Sequence, residues 1–408
     1  MIEYDPCSEA LYDDPFPFYK QLRDEAPVFK HPDYLPWFLS RFDDITKAIL
    51  DLKSFTVTEG TTSMNILQAP DPDAANRFAD NSDFEMEIGA VAMLDPPVHT
   101  RVRTSMNAPF KPAAAAALEP LARSIVRKRL DIARETGRMD AVAELAGYLS
   151  VRIACTILGL SLEDADQYTQ WVNSIFERER GLFGMTERGR DASIALHAHL
   201  FQLVHECRTN GTQLEGLGNH ILYGDFEGRK LNDLEAAFHF SMVLIGGTET
   251  LPKAASGAIW RLWEHPDQRA QVAADPALAP QAFHEALRFD MPTQMLGRTA
   301  TRPVEFHGQT IQPGEHVMFL WASANRDERK FEHADQFDIH RGFPRILSFG
   351  LGAHMCLGAH VARMEGKVIL EELLAAFPEY EIIEDECVRM RSEFFRGLTS
   401  VPMIVGQN

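Results

Sequence analysis

One cysteine lies in a glycine-rich segment whose residue types could hold a metal. Residues 349–358 read FGLGAHMCLG, and the amphipathic run that follows predicts a helix over 357–377. At a helix N-terminus the macrodipole and the free N–H groups favour the thiolate of Cys356. Two glycines let the loop bend, and Gly358 leaves the next turn without a side chain, so that a flat ligand can approach. A single thiolate on such a loop suits one axial bond to haem iron, whereas an inert buried thiol is the ordinary alternative.

The segment 246–250, with the sequence GGTET, combines an acid and an alcohol inside an apolar run. Pro252 follows closely. Because proline lacks an N–H group and clashes with the carbonyl four residues earlier, it predicts a kink or widened turn here. A buried, unpaired carboxylate is costly, which favours a chemical role for Glu249. The structural alternative is that Thr250 bonds back to the carbonyl of Gly246 and that Glu249 caps a local defect.

Two further pairs have helical spacing. Glu285 and Arg288 are three residues apart and predict an ion pair, which would contribute about 0.2–0.5 kcal/mol if it were exposed. His99 and Arg103 are four residues apart, so both lie on one face of a helix, where two donors could bind an anionic group. Taken alone, each pair is more simply explained as solvated surface charge.

These segments resemble the cytochrome P450 family of haem-thiolate monooxygenases. The family's loop motif, Phe-x-x-Gly-x-(His or Arg)-x-Cys-x-Gly, is matched at every fixed position between Phe349 and Gly358. The GGTET segment matches the family's Gly-Gly-x-(Asp or Glu)-Thr motif, and the resemblance extends over nearly the whole chain. It implies a monooxygenase that binds haem b, iron protoporphyrin IX, with Cys356 as the metal ligand.

The resemblance also implies roles for residues outside the cysteine loop. Thr250 would donate a hydrogen bond where dioxygen is activated, and Glu249 would relay protons from solvent. The acid–arginine pair would be buried and would brace the loop together with a second arginine. Gln336 stands where that arginine is common, so Arg341 is the candidate. Four polar side chains would bind the haem propionates: His99, Arg103, Arg298 and His354.

A substrate pocket above the haem is a further implication. Its expected members are mainly apolar and aromatic: Phe84, Ile88, Met242, Ile245, Gly246, Thr293, Gln294, Met295, Phe394 and Phe395. Thr293 and Gln294 would be the polar anchors, and each apolar member could equally belong to the core. Such a lining suggests a compact hydrophobic substrate, a terpenoid or a substituted aromatic, that is hydroxylated or dealkylated.

Electrons would have to come from a separate protein, because no flavin or iron–sulfur domain is recognisable in the sequence. The expected donor is a small acidic iron–sulfur ferredoxin with its reductase. It would dock behind Cys356 on a local basic patch: Arg101 or Arg103, Lys111, Arg345 and Arg363. Two alternatives stay open, a non-catalytic haem-thiolate sensor and a peroxide-driven enzyme of the same fold. The acid–alcohol pair favours the monooxygenase, because a sensor needs no proton relay.

The elements that must position these residues are mostly helices. Periodicity predicts four of them: 112–133, 138–159, 163–176 and 191–207. Short strands are expected near both ends of the chain: 27–39, 298–306, 315–320 and 401–405. A small sheet formed from both ends implies a mainly helical α+β fold and one domain over 1–408. The segment 56–95 has weak periodicity and is typical of a long surface loop with one short helix.

The acid and the alcohol lie in the longest predicted helix. Asn232 and Glu235 form a capping-box pattern and His265–Pro266 ends the helix, which therefore spans about 45 Å. Its middle, AAFHFSMVLIGG, is apolar on nearly every face, which predicts a helix at the centre of the protein. The resemblance implies a triangular domain in which this helix lies over the haem.

Composition excludes several classes of protein. The 408 residues carry a formal charge of 40 − 59 = −19, and 45% of them are hydrophobic. These values exclude global disorder and oppose binding to nucleic acid or to anionic membranes. Five widely spaced cysteines without a CxxC pattern argue against disulfides and structural zinc, and indicate a reducing, cytoplasmic compartment. We expect neither a signal peptide nor a stretch near the ~20 apolar residues of a membrane-spanning helix.

Overall fold

The computed structural model describes residues 2–63, 67, 86–179 and 184–406, so Phe84 lies outside the described residues. The described chain is mostly helical. Its α-helices are α1 (Glu9–Asp13), α2 (Phe16–Glu25), α3 (Phe42–Leu50), α4 (Val98–Met106), α5 (Pro112–Thr136), α6 (Gly147–Leu158), α7 (Ala165–Phe176), α8 (Glu187–Asn210), α9 (Gly216–Tyr223), α10 (Asp233–Glu264), α11 (Pro266–Ala274), α12 (Ala279–Phe289), α13 (Trp321–Ala324) and α14 (Ala359–Ala376).

The strands are short. They are β1 (Val28–Lys30), β2 (Trp37–Leu39), β3 (Phe55–Thr56), β4 (Arg138–Asp140), β5 (Met295–Ala300), β6 (Val304–Phe306), β7 (Gln309–Ile311), β8 (His316–Leu320), β9 (Tyr380–Ile382), β10 (Val388–Arg389), β11 (Leu398–Ser400) and β12 (Pro402–Val405). A five-stranded sheet has the order β1-β2-β8-β5-β3, and a three-stranded sheet has the order β4-β12-β9. In the larger sheet, Met318 of β8 pairs with Phe38 of β2 in parallel and with Gly297 of β5 in antiparallel fashion.

Most predicted elements are present, with shifted ends. The helix expected over 138–159 begins instead with β4, because Met139 pairs with Met403 of β12, a strand that only the folded chain brings to it. A π-helical turn, Ala141–Ala146, then leads into α6. Contrary to expectation, residues 141–158 are long and apolar enough to cross a membrane, but 72% of this stretch is buried inside the protein. Such burial is typical of a core helix.

The central helix is α10, and it begins at the expected capping box. Asn232 Oδ1 accepts from the Glu235 amide, and the Glu235 carboxylate accepts from the Asn232 amide, both at 2.8 Å. The helix ends at Glu264, before Pro266 begins α11. The expected kink or widened turn does not break it, since the α-helix continues past Pro252. Contacts with α6, α8 and α12 hold the helix on several sides, and this packing offsets the local cost of proline.

A buried ion pair on α12 holds the segment that leads to the cysteine loop. Arg288 donates to the two carboxylate oxygens of Glu285 at 2.7 and 2.8 Å, and neither side chain is more than 1% exposed. Arg341 Nε donates to the same carboxylate at 3.1 Å, which is the contact expected of the second arginine. The carbonyl oxygen of Gln336 accepts from both guanidinium groups at 3.0 Å. Residue 336 therefore contributes through its main chain.

Hydrogen bonds connect this ion pair to the start of the cysteine loop. Arg288 donates to the carbonyl of Asn325 at 3.0 Å. The Asn325 side chain accepts from the Leu347 amide at 2.7 Å and donates to Ser348 Oγ at 2.8 Å. Ser348 Oγ in turn donates to the carbonyl of Leu287 on α12 at 2.7 Å. The loop is thus tied to α12 both through Asn325 and directly.

We expect Arg288→Ala to lower the free energy of unfolding by about 3–5 kcal/mol, because Glu285 would keep a buried charge with only Arg341 beside it. Urea unfolding followed by tryptophan fluorescence measures the loss. The control is Arg127→Ala, since Arg127 pairs with Glu372 but is 63% exposed, so its removal should lower the free energy of unfolding far less. Equal losses in the two variants would contradict the bracing role of the buried pair.

Candidate active site

The cysteine loop turns back on itself before α14. The Cys356 amide donates to the carbonyl of Phe349 at 2.7 Å, which closes the turn. Gly350 and Gly352 have φ angles of +64° and +67°, in the left-handed region that residues with a side chain rarely adopt. Helix α14 begins two residues later than the sequence predicts, because residues 357–358 form a turn. The free amides at the start of the helix follow directly after the cysteine.

A cavity of about 440 Å³ lies between the cysteine loop and α10. Many of the residues singled out in the sequence lie in its wall: His99, Arg103, Met242, Gly246, Thr250, Thr293, Arg298, Phe349, His354, Cys356 and Gly358. They come from α4, α10, the segment between α12 and β5, β5 and the loop itself. Long-range packing therefore assembles one site from segments more than 250 residues apart in the chain.

Two histidines of the wall have ring nitrogens that bond to nothing in the described chain. These are both nitrogens of His99, which is 1% exposed, and Nε2 of His354. The two ring centroids are 4.1 Å apart. Arg103 and Arg298 each donate to a main-chain carbonyl, and a guanidinium has five N–H groups for further bonds. Unpaired buried donors of this kind fit a ligand that carries carboxylates, as haem does.

The electrostatic environment of these histidines is positive. Burial, with the fields of Arg298, His99 and Arg103, lowers the pKa of His354 to about 3. Burial also lowers the pKa of His99, so both histidines are neutral at pH 7 and each offers one N–H donor. Burial lowers the pKa of Arg298 to about 10, against the field of Asp95, which leaves Arg298 cationic. A carboxylate here would meet cations and neutral donors together.

Two glycines leave the space that a flat group needs. A Cβ atom on Gly358 or on Gly246 would meet nothing within 4 Å, whereas a Cβ atom on Gly247 would lie 3.0 Å from the Cβ of Ala154. Gly246 therefore borders open space, while Gly247 packs against α6. Open space therefore lies beside both the cysteine loop and α10, as a flat cofactor held by Cys356 would require.

Cys356 is exposed and lies in the cavity wall. Burial raises the pKa of this thiol, while the Gly358 amide and the charges of Arg103 and Arg363 oppose the rise. Arg363 also stacks on Phe349, with its guanidinium carbon 4.3 Å from the ring centroid. A metal ion bonded to the sulfur would outweigh burial and hold the thiolate form.

One face of α10 contributes to the cavity wall at four-residue intervals. Met242, Gly246 and Thr250 lie there, as the helical period requires. The Thr250 hydroxyl donates to the Gly246 carbonyl at 3.1 Å, which is the structural alternative considered above. Because this hydroxyl also borders the cavity, it can exchange its local bond for one to a ligand.

Glu249 lies on another face of α10 and has a partner. Its Oε1 is 2.5 Å from Lys253 Nζ, and the two side chains are 1% and 4% exposed. The expectation of an unpaired carboxylate is therefore wrong. Lys253 was missed, although Glu-x-x-x-Lys is the spacing of a helical ion pair. Burial raises the pKa of Glu249, and Lys253 opposes the rise.

Several expected pocket residues lie outside the cavity wall. Among the described residues these are Ile88, Ile245, Gln294, Met295, Phe394 and Phe395. Strand alternation explains one of them, because Leu296 and Arg298 face the cavity while Met295 faces the opposite side of β5. Gln294 is 2% exposed, and its amide oxygen accepts from the Tyr19 hydroxyl at 3.1 Å, which turns it away from the cavity.

The remaining members of that set belong to the core. Phe394 and Phe395 have ring centroids 6.1 and 4.7 Å from that of Phe176, the last residue of α7. Ile88 is 4% exposed, and its amide donates to the carboxylate at the start of α10. Ile245 packs against the hydrophobic core beside the cavity-facing stripe of α10.

Sequence reasoning also missed part of the wall, including Ile153, Ala154, Val243, Leu251, Ala254, Leu296, Trp321 and Glu365. Most of these are apolar residues of helices, and nothing in the sequence distinguishes them from core residues. Strand alternation from Arg298 would have identified Leu296. Trp321 Nε1 and Glu365 Oε1 are buried without a hydrogen-bond partner in the described chain, and burial raises the pKa of Glu365 well above its ordinary value.

Comparison with known proteins decides the family. The family model for cytochrome P450 matches residues 53–403. A putative cytochrome P450 123 of Mycobacterium tuberculosis is 32% identical to this chain over 402 residues, covering 98% of this chain and 96% of that protein. This chain belongs to the cytochrome P450 family.

Other similar proteins agree with this P450 assignment. Vitamin D(3) 25-hydroxylase of Pseudonocardia autotrophica is 31% identical, covering 99% of this chain and 97% of that protein. The solved structure of cytochrome P450 CREJ in complex with (4-ethylphenyl) dihydrogen phosphate has a TM-score of 0.87 and 28% identity, covering 99% of this chain and all of that one. The expected helical fold with small sheets is confirmed. The P450 is a monooxygenase whose cofactor is haem, iron protoporphyrin IX.

We expect the reduced carbon monoxide complex of this P450 to show the red-shifted Soret band of thiolate ligation, because Cys356 is the cysteine that lines the described cavity. Cys356→His should retain haem and lose the red shift, since imidazole would replace sulfur. Cys155→Ser is the control, as Cys155 is buried in α6 away from the cavity wall. A red-shifted band that persists in Cys356→His would show that another residue is the ligand.

Proposed function

We propose that this P450 hydroxylates or dealkylates a compact hydrophobic substrate, using dioxygen and electrons from a separate ferredoxin with its reductase. The observation that carries the proposal is the single cavity shared by Cys356, Thr250 and many apolar side chains. Bound haem supplies the oxygen-activating chemistry. One hydrophobic core includes residues from Tyr4 to Val405, which supports a single domain over 1–408.

The residues that we propose to hold the cofactor all lie in the cavity wall. Cys356 binds the iron, Phe349 packs at the turn that presents it, and Gly358 leaves room beside it. The propionate donors are His99, Arg103, Arg298 and His354. Their neutral or cationic state at pH 7 suits a carboxylate, which would otherwise be costly to bury.

Thr250 and Glu249 have separate tasks in this proposal. The Thr250 hydroxyl, which donates to the Gly246 carbonyl at 3.1 Å and borders the cavity, exchanges this bond for one into the cavity where bound haem activates oxygen. Glu249 takes up a proton on another face of α10 and turns to deliver it beside Thr250. A non-catalytic sensor needs neither group, whereas a peroxide-driven enzyme of the same fold would share the cavity.

The lining of the cavity supports an apolar substrate. Met242, Leu251 and Leu296 lie in the wall, and Thr293 is a polar anchor among them. One similar protein is named for the hydroxylation of vitamin D(3), and another was solved with an alkylphenyl phosphate. We propose a terpenoid or a substituted aromatic here. Spectral titration with a panel of apolar compounds should give saturable shifts, and binding confined to charged compounds would contradict the proposal.

We expect Thr250→Ala to lower the yield of product per electron roughly tenfold, the effect of losing one hydrogen bond in the transition state. Electrons would still be consumed, with hydrogen peroxide formed in place of product. The measurement is product against oxygen consumed, with a substrate selected by the titration above. Thr248→Ala is the matched control, because Thr248 is 1% exposed and lies outside the cavity wall.

An unchanged yield in Thr250→Ala would contradict the assigned role. Product formation from added peroxide alone, at the rate measured with electrons and dioxygen, would instead favour the peroxide-driven enzyme.

The ferredoxin proposal depends on a basic patch in a protein of net charge −19. Arg345 and Lys111 are exposed on segments that flank the cysteine loop and α4. Arg101 is paired with Glu227, and Arg103 faces the cavity, so these two contribute less to the patch. The patch would attract an acidic partner and steer its approach.

We expect Arg345→Glu to slow reduction by an acidic ferredoxin several-fold at low salt, and the difference to narrow as salt shortens the ~10 Å screening length of 0.1 M solutions. Stopped-flow reduction at several ionic strengths measures both effects. Arg188→Glu makes the same charge change on α8, which packs against α7 and α10. Equal slowing in the two variants would show a net-charge effect and no local docking site.

A further inference from the structure

The lysine that pairs with Glu249 is buried in the middle of α10. Lys253 Nζ donates to Glu249 Oε1 at 2.5 Å and to the Glu249 carbonyl at 3.2 Å. The other carboxylate oxygen, Oε2, has no partner among the described residues. Neither side chain lies in the cavity wall. The carboxyl is therefore held by one cation outside the cavity wall, beside the stripe of α10 that lines the cavity.

The segment before β11 fixes the position of this lysine. Gly397 packs on its aliphatic stem, since a Cβ atom on Gly397 would lie 2.8 Å from the Lys253 Cβ. Lys253 Nζ is 5.9 Å from the ring centroid of Phe395. Glu393, on the same segment, is already paired with Arg178. Within the described chain, Lys253 is the charged group whose field acts on Glu249.

We propose that Lys253 is a positioning residue for the proton-relay acid: it holds the Glu249 carboxyl away from the cavity and sets the pH range in which that carboxyl exchanges its proton. The inference rests on the relay role given to Glu249 above. An opposite charge at this distance favours the ionised acid, and burial opposes it. Removing the cation leaves burial alone, so Glu249 would hold its proton to higher pH and deliver it less often.

The test is an infrared titration of the carboxylic acid band in the ferric holoenzyme, which needs no turnover. Spectra of Glu249→Gln are subtracted, so that other buried acids such as Glu365 cancel. We expect the midpoint for Glu249 to rise by about one to three pH units in Lys253→Met. Lys253→Gln, which keeps a hydrogen-bond donor without charge, should shift it similarly, and Lys253→Arg should restore the midpoint of the unsubstituted protein.

A second measurement tests whether the shift in the Glu249 titration midpoint affects catalysis. The pH profile of the oxygen-dependent rate should move upward with the infrared midpoint in Lys253→Met and return in Lys253→Arg. If Lys253→Met does not accumulate as holoenzyme, the double variant Glu249→Gln/Lys253→Met, which has no buried charge, should accumulate, and Lys253→Gln then supplies the titration.

An unchanged infrared midpoint in both Lys253→Met and Lys253→Gln would overturn the proposal. A shifted midpoint with an unchanged pH profile would overturn it as well, because the pair would then be structural. Failure of the proposed function is a separate result, in which Thr250→Ala stays coupled while the infrared shift in Lys253→Met persists.

Discussion

The position of the Cys356 sulfur depends on a buried ion pair that lies outside the cysteine loop. Glu285 and Arg288 are fully buried on α12, and Arg341 adds a second cation to the same carboxylate. From this cluster, hydrogen bonds run through Asn325 to the first residues of the cysteine loop. A charge in the interior must be paired, and besides Glu285 the partners of Arg288 are the main-chain carbonyls of Asn325, Ala334 and Gln336. Electrostatic pairing thus determines where the loop begins.

Adjacent residues of helix α10 face two different surroundings. Thr250 borders the cavity, whereas Glu249 is paired with Lys253 on another face. A helix turns by about 100° per residue, so neighbours in the sequence necessarily face different surroundings. In the proposed relay, proton delivery from Glu249 to the cavity requires the carboxyl to leave Lys253. Gly246 leaves open space beside the cavity, and Gly247 lets α10 pack closely against Ala154 of α6 at the cavity wall.

The charge of the cavity differs in sign from that of the whole molecule. The chain carries a net charge of −19, yet the ionisable groups of the cavity wall include Arg103, Arg298 and two neutral histidines, together with Glu365, whose pKa is raised well above its ordinary value by burial. If these residues bind the haem propionates as proposed, the anionic edge of the cofactor meets positive charge inside a protein whose net charge would repel an anion. The proposed acidic redox partner would likewise need a local excess of positive charge near the cysteine loop to overcome the net negative charge of this protein.

The sequence alone determined the parts of this protein that depend on local geometry. The glycines around Cys356 are needed for positive φ angles, and the capping box at Asn232 forms within one helical turn, so both could be recognised from spacing. Only the tertiary structure decided which side chains face the cavity. Met295 and Phe395 were expected there and are core residues. Leu296, which lines the cavity, and Lys253, which pairs with Glu249, were not identified from the sequence. The sequence does not show whether a hydrophobic or charged side chain will face the cavity or the core. Its neighbours come from segments hundreds of residues away, and their positions are fixed only when the whole core packs.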